Sequence, residues 1–291
     1  MVDKNTAFNE IRPIKLDNNK LIDFSTAKIM GILNLTPDSF YDGGRFKDNN
    51  SLLKKTEDMI LSGADIIDVG AVSTRPGAHN ISCDDELKRI INTVALLTKT
   101  FPDAVFSIDT YRSKVAEETI AAGAHIINDI SGGTMDKLMF ETIARLKVPY
   151  ILMHINGTPL TMQKSPVTDN ITSVVKNFFQ TSVEKLTQLG VSEIIIDPGF
   201  GFGKSLECNY TLLKKMNDIR INNLPILAGI SRKSMINKLL NTLPQNAING
   251  TTSLNTIALL SGANILRVHD VEEAKQVVII IDFMQNNINC K

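Results

Sequence analysis

Eight short apolar runs recur along the chain, each closing in polar residues or a turn and each parted from the next by a helical pattern. They are "KIMGILNLTPDS", "ADIIDVGAVSTRPG", "AVFSIDTYRS", "AHIINDISGG", "VPYILMHING", "SEIIIDPGFG", "LPILAGISRKS" and "ANILRVHDVEE". After the first run Leu52, Leu53, Thr56, Met59 and Ile60 fall on one helical stripe, and after the second Leu87, Ile90, Ile91, Val94 and Leu97 form another. Further helices are expected over about 111–121, 135–146, 170–188, 206–218, 232–240, 247–260 and 270–284. Strands this apolar need helices covering one face and a packed core on the other. The pattern predicts an α/β fold, a single-domain (β/α)8 TIM barrel over residues 28–291. Residues 1–27 are read as an N-terminal segment placed to cover the barrel's N-terminal mouth. The rival, a doubly wound open sheet, would carry Gly-x-Gly-x-x-Gly at its first β-α turn, and the turn here reads "NLTPDSFYDGG".

Gly63, Gly123, Gly190 and Gly262 each follow a helical stretch and stand just before a strand, where a glycine ends a helix in the left-handed region. The phrase at 62–67 and again at 122–127, echoed by "SGANIL", reads as one helix-to-strand turn used repeatedly. "IIIDPGFGFGKS" at 194–205 ends like a phosphate loop, but Gly-x-x-x-x-Gly-Lys-Ser needs a glycine where Pro198 stands. Gly-x-Gly-x-x-Gly fails as well, because Lys204 holds the third glycine's place after Gly199 and Gly201.

Lys+Arg and Asp+Glu both total 31, so nothing electrostatic calls for nucleic acid or an anionic membrane as partner. Cys83, Cys208 and Cys290 are too far apart for Cys-x-x-Cys or finger spacing, which argues against a disulfide framework or structural zinc. The N-terminus is polar and charged through residue 20, and no charge-free run approaches the ~20 residues of a bilayer span. A cytoplasmic location is the expectation.

In a TIM barrel, chemistry gathers at the C-terminal ends of the strands. Those ends supply Asn34, Asp68, Asp109, Asn128, His154, Asp197, Arg267 and His269. Strand side chains alternate, so Ser107 and Asp109 share one face, while Ile126 and Asn128 share the face opposite Ile127 and Asp129. With Asp109, Asn128 and Asp197 pointing inward, hydrogen-bond acceptors converge and Lys233 is their one cationic neighbour. Such a site suits a flat, donor-rich heterocycle better than a phosphate. Arg267 and His269, two apart on the last strand, project to one side and offer donors to one phosphate or diphosphate. "GISRKSM" places Ser231, Arg232, Lys233 and Ser234 at the opening of a helix, whose free N–H groups favour an anion. Thr74, Arg75 and Pro76 in "STRPGA" and Asp38 in "NLTPDSF" lie in loops long enough to close over a substrate. Structural roles stand beside these. Asp68 and Asp270 also read as helix N-caps, Asn34 as a loop anchor, His154 as a structural hydrogen-bond partner and Arg232 as an outward ion pair. Asp109 is less readily a cap, because Thr110 follows it.

Taken in order, these motifs resemble the dihydropteroate synthases, a family of pterin-binding enzymes. The resemblance runs from "GILNLTPDSFYDGG" at 31–44 through "STRPGA", "SIDTYRSKVAEETIAAGAHIINDISGG", "LMHINGTPLTMQ", "DPGFGFGKS" and "GISRKS" to "RVHDVEE" at 267–273. It implies a transferase of folate biosynthesis that joins 6-hydroxymethyl-7,8-dihydropterin diphosphate to 4-aminobenzoate, giving 7,8-dihydropteroate and diphosphate. It also implies Mg2+ as cofactor, a homodimer and a target for sulfonamides. Residue by residue, it implies that Asp109, Asn128 and Asp197, joined by Lys233, bind the pterin in a pocket lined by Met153. Asn34, Arg267 and His269 would hold the diphosphate, with Asn34 also the Mg2+ ligand. Phe202 would pack near the aminobenzoate ring, Thr74 and Pro76 would touch that substrate, and Ser234 would receive its carboxylate. The glycines of "DPGFGFGK" would let backbone approach the bound rings, with Lys204 structural.

The expected mechanism is an SN1-like substitution with a catalytic set of Asp38, Arg75, Lys233, Arg267 and His269. The attacked CH2 is attached to an electron-rich dihydropterin, and the aromatic amine is neutral near pH 7 and nucleophilic, so no strong general base is needed. Closure of the first loop would bring Asp38 towards the developing cation, and Arg75 would hold the second loop over the diphosphate. A methyltransferase barrel that binds reduced folate is the competing enzymatic reading, although it gives no reason for a diphosphate set of Lys233, Arg267 and His269. A pterin-binding protein without enzymatic activity is the third.

Overall fold

The computed structural model describes residues 11–16, 20–35, 45–71 and 82–286, the side chains of 45–48 excepted. Eight parallel strands form one sheet: β3 (Lys28–Asn34), β4 (Ile66–Gly70), β5 (Phe106–Asp109), β6 (Ile126–Asp129), β7 (Tyr150–Met153), β8 (Ile194–Asp197), β9 (Leu227–Ala228) and β10 (Ile265–Val268). Each strand pairs with its neighbour in sequence, and β10 returns to β3. A parallel bridge from Ile196 to Ile226, backed by Ile196 N–H donating to Pro225 C=O at 3.0 Å, brings β8 to β9 and closes the ring. This is the (β/α)8 barrel expected from the alternating runs, and it excludes the open sheet.

Helices α1 (Arg45–Leu61), α2 (Cys83–Thr100), α3 (Ser113–Ala121), α4 (Met139–Leu146), α5 (Ile171–Gln188) and α6 (Leu206–Lys214) occupy the crossovers in turn. The crossover from β9 to β10 holds two, α7 (Ser234–Leu240) and α8 (Ile248–Leu260), and α9 (Val271–Asn286) follows the last strand. Among the described residues, no helix is long and apolar enough to cross a membrane.

Strand alternation divides the core. Ile67, Val69, Phe106, Ile108, Ile127, Tyr150, Leu152, Ile194, Ile196, Leu266 and Val268 face the helices in one large cluster. The other parity points into the barrel, and its first residue on most strands is apolar: Met30, Ile66, Ile126, Ile151, Ile195, Leu227 and Ile265 form a separate cluster. That cluster also takes in Ile14, Leu16, Ile22 and Phe24, carried by a hairpin of β1 (Ile14–Lys15) paired antiparallel with β2 (Leu21–Ile22). Hairpin side chains thus bury the N-terminal end of the barrel. Two residues further along, at the other end, four of these strands turn polar, at Asp68, Asn128, Asp197 and Arg267.

The four helix-ending glycines share one hydrogen-bond pattern. Gly63, Gly123, Gly190 and Gly262 have φ between +85° and +103°. Each donates to the carbonyl three residues back, and the following residue donates five back, as in Ala64 N–H to Met59 C=O and Ala124 N–H to Thr119 C=O at 3.0 Å. This pairing satisfies carbonyls that the helix end would leave unbonded. Some helices begin later than the apolar pattern predicts, because a side chain or a backbone turn intervenes. Asp136 accepts from the N–H groups of Leu138 (3.0 Å) and Ser113 (2.7 Å), so α4 starts at Met139. Arg232 sits at φ +56°, which a helix cannot include, so α7 starts at Ser234.

Candidate active site

The inward parity places Asp68 on β4, Ser107 and Asp109 on β5, Asn128 on β6, Met153 on β7, Asp197 on β8 and Arg267 on β10 around one space. Gly229, next along β9, has no side chain to fill it: a Cβ there would lie 3.6 Å from Lys233 Nζ and 3.9 Å from Arg267 Cβ. Arg267 organises the group. Its Nε donates to Asp68 Oδ2 at 2.7 Å and its Nη2 to Asp109 Oδ2 at 2.8 Å. Asn128 Nδ2 donates to the same Asp68 oxygen at 3.0 Å, reaching across β5. A carboxylate only accepts, so the amide turns its N–H2 to Asp68 and keeps Oδ1 for another donor.

These contacts revise two expectations. Arg267 is a cationic neighbour of the acidic group alongside Lys233, and does not stand apart from it with His269. Asp68 is no helix cap; it is fully buried and bridges Arg267 and Asn128. Its polar role was legible in part, since Ile66-x-Asp68 repeats the rhythm of Ile126-x-Asn128, Ile195-x-Asp197 and Ile265-x-Arg267. Asp270 is likewise no cap by its side chain, which takes Arg232 Nε and Nη2 at 2.9 and 2.6 Å, the outward pair expected of that arginine.

Burial pushes Asp109 up to about 7 against the pull of Arg267, with Asp68 adding to the rise. Asp197 is raised by burial, opposed by Lys233 and by the Gly199 N–H it accepts at 2.7 Å. Lys233 is lowered to about 8 by burial, with Asp197 pulling it back. Burial also works against the charge of Arg267, yet Asp68 and Asp109 outweigh it and hold the guanidinium firmly protonated. The cluster thus holds two cations against three carboxyls in a space with little water.

Lys233 Nζ donates to Phe200 C=O at 2.7 Å and lies 4.7 Å from the centre of the Phe202 ring, which ties β9's following turn to the sixth loop. Phe202 and Tyr111 are half-buried against Met153, Ile130, Ile155 and Met162, an apolar wall beside the polar group. Ser234, the first residue of α7, is exposed. His269 is exposed too, and Ser231, read from the sequence only as part of the helix opening, orients it: Ser231 Oγ accepts the His269 backbone N–H at 3.2 Å and lies 3.1 Å from Nδ1. Asn34, exposed at the end of β3, shares the rim with Asp109; a Cβ on Gly70 would lie 3.7 Å from Asn34 Oδ1 and 3.8 Å from Asp109 Oδ2. Asp38, Thr74, Arg75 and Pro76 lie outside the described residues.

In the glycine-rich loop the glycines serve close packing of loop on loop. Gly199 and Gly203 have φ +67°, and a Cβ on them would sit 2.0 Å from His154 C=O and 2.4 Å from Asn156 C=O. Their absent side chains let the sixth loop lie on the fifth. Lys204, buried, donates Nζ to the carbonyls of Gly199 (2.7 Å), Phe202 (3.1 Å) and His154 (3.2 Å). Its amine is fully occupied in holding the two loops. His154 is buried edge-on to Phe178 at 5.2 Å, and burial, then Lys204, lowers it to about 3, so it is neutral and packed.

The family model described as "pterin binding enzyme" matches residues 30–269. Dihydropteroate synthase of Escherichia coli K12 is 41% identical over 263 residues, covering 90% of this chain and 93% of that protein. The crystal structure of Yersinia pestis dihydropteroate synthase in a sulfonamide drug complex superposes with a TM-score of 0.87 at 39% identity, over 94% of this chain and 99% of that one. The Xanthomonas albilineans dihydropteroate synthase with 4-aminobenzoic acid gives 0.86 at 32% identity, over 95% and 100%.

Proposed function

The chain belongs to the pterin binding enzyme family, among the dihydropteroate synthases, transferases of folate synthesis, and on that footing we propose a specific reaction and site. 6-Hydroxymethyl-7,8-dihydropterin diphosphate loses diphosphate and its CH2 joins the amine of 4-aminobenzoate, giving 7,8-dihydropteroate. The observation that carries this reading is the meeting of Asp109, Asn128 and Asp197 with Lys233 and Arg267 at the barrel's C-terminal end. Acceptors on one side fit the N–H-rich edge of the pterin. The charge of Arg267 fits the diphosphate.

Asp197 and Asn128 Oδ1 accept from the ring's N–H groups, Asp109 accepts from another, and Lys233 donates, with Met153 against the ring's face. Arg267 and His269 donate to the diphosphate; among the described residues Arg267 Nη1 has no hydrogen-bond partner, which leaves it for an anion. Phe202 walls the aminobenzoate ring, and Ser234 faces its carboxylate, with Thr74 and Pro76 as further contacts. The Y. pestis and X. albilineans relatives bind a sulfonamide drug and 4-aminobenzoic acid, and the same second subsite is proposed here.

The C–O bond breaks with its electron pair leaving on the diphosphate, and the cation spreads into the dihydropterin ring. The amine nitrogen then supplies the new C–N pair and sheds a proton to water. Positioning, neutralisation of the leaving charge and exclusion of water do the work, and Asp38 and Arg75 are the proposed loop contributors. For Mg2+, Asn34 Oδ1 is a hard oxygen donor on the rim beside Asp109, and among the described residues no group of three or more acidic, His or Cys side chains forms a cage. That suits an ion held by Asn34 together with diphosphate oxygens. Bound there, it would supply further neutralisation of the departing charge. The pair of subunits is proposed to be a homodimer, joined through the apolar outer face of α8 and α9, where Ile257, Leu260, Ile279, Ile280 and Phe283 are exposed. Location in the cytoplasm is the companion proposal.

Diphosphate release from the purified chain, with each substrate and Mg2+ omitted in turn, tests the reaction. Asp109→Ala is expected to lose pterin binding, and Arg267→Ala to bind it but release diphosphate slowly. Normal turnover in both variants defeats the site assignment, and methyl transfer from a methylated reduced folate in place of diphosphate release defeats the reaction.

A further inference from the structure

We infer that the two carboxylates on Arg267 have different duties: Asp68 is its standing counter-ion and positions it, whereas Asp109 is a partner that Arg267 gives up to the ligand. This rests on the proposed pterin site. Asp68 is fully buried, and its Oδ2 receives three contacts: Arg267 Nε at 2.7 Å, Arg267 Nη2 at 2.7 Å and Asn128 Nδ2 at 3.0 Å. Asp109 touches Arg267 through Nη2 alone, at 2.8 Å, and sits on the rim over Gly70 with Asn34. Two guanidinium nitrogens thus hold to the deep carboxylate and one of them is shared with the shallow one. A ligand entering from the C-terminal end meets Asp109 and Asn128 Oδ1 first. Donation of a ligand N–H to Asp109 can replace the Nη2 contact without leaving Arg267 unpaired, because Asp68 remains. The freed Nη2 proton and Nη1 are then two donors on the side where a leaving anion must sit. Without Asp68, Asp109 would be the one ion-pair partner left to Arg267 among the described residues, and a ligand would have to compete for it.

The geometry gives a test by epistasis. Asp68→Asn is isosteric, keeps an oxygen for Asn128 and removes the charge. Affinity for the diphosphate-free 6-hydroxymethyl dihydropterin, measured by calorimetry, is expected to fall about tenfold in D68N, the size of one charge-assisted contact. In an Arg267→Ala background the competition is gone, and the same substitution is expected to change affinity by less than about twofold. An equal penalty in both backgrounds, as a merely structural role would give, overturns the inference, and so does a D68N variant that binds like wild type. Should D68N fail to fold, carboxyl carbon shifts of the labelled wild-type chain decide: on adding the pterin, the Asp109 signal is expected to move and that of Asp68 to stay, and the reverse refutes the division. A wild-type chain that neither binds the pterin nor releases diphosphate refutes the proposed function itself; turnover in wild type with no epistasis refutes only the role of Asp68.

Discussion

For single residues, the acid–base behaviour of the site follows from how little water its side chains keep. Asp109 stands at about 7 and Lys233 at about 8, both displaced first by burial. Ligand recognition wants an ionised Asp109 and a protonated Lys233, so kcat/KM for the pterin substrate is expected to rise through the first value and fall through the second. Lys233→Arg keeps its charge at every accessible pH, and whatever activity it retains should lose the alkaline limb. A K233R profile that still falls near the same pH would assign that limb elsewhere. Stability follows His154 as well as Asp109. His154 is lowered from 6.5 to about 3, so its contribution is whole above 6.5 and drains away as pH falls towards 3. Asp109 has the opposite sign: its value is raised from 3.8, so its contribution is whole below 3.8 and lost as pH rises through about 7. In urea unfolding, wild type is therefore expected to lose stability between pH 6 and 4 more steeply than His154→Gln, by up to about 1.4 kcal/mol per pH unit. Equal slopes would show that His154 takes up its proton without unfolding.

The elements differ in what fixes them, and two glycines separate the causes. Gly190 has φ +85° with nothing within 4 Å of an added Cβ, so Gly190→Ala carries only the left-handed backbone cost, about 1 kcal/mol. Gly199 has φ +67° and would drive its Cβ to 2.0 Å from His154 C=O. Gly199→Ala must also part the fifth and sixth loops, and a loss above about 3 kcal/mol in denaturant, or loss of pterin binding with stability kept, is expected. Similar losses in the two variants would mean that the loops are not held against each other. The same division explains what could be read from the chain. Strands and helices were legible because apolar periodicity is local, and the glycine caps because a left-handed helix end leaves a mark in the sequence. The starts of α4 and α7 were not, because Asp136 and the backbone turn at Arg232 set them. That Asp109, Asn128 and Asp197 on β5, β6 and β8 share the inward face was legible from alternation once the barrel placed the strand ends around one space. Arg267 reaching Asp68 was not, since the two are 199 residues apart and meet only when the barrel closes.

For the whole molecule, the described residues cover the barrel's N-terminal end and leave its C-terminal end open, and one flank carries exposed apolar side chains. The hairpin carrying Ile14, Leu16, Ile22 and Phe24 occupies the N-terminal end, which leaves the polar C-terminal end for chemistry. On α9, Ala274, Val277, Val278 and Ile281 face the core, as an amphipathic helix should. Yet Ile279, Ile280, Phe283 and Met284 are apolar and exposed on its other side, and Ile257 and Leu260 continue the surface onto α8, which packs against it. A helix apolar on both faces is ordinarily covered on both, each large side chain contributing about 1.5–3 kcal/mol when buried. With no net charge to hold copies apart, a second copy of the chain is the cover we propose. Phe283→Asp and Ile280→Asp, both remote from Arg267 and Asp109 in the fold, are expected to convert the dimer to a monomer in light scattering while the thermal transition stays cooperative. A wild-type chain that remains monomeric at about 50 µM, far above the Kd of an ordinary stable interface, would leave that face to another partner and remove the dimer from the proposal without touching the site.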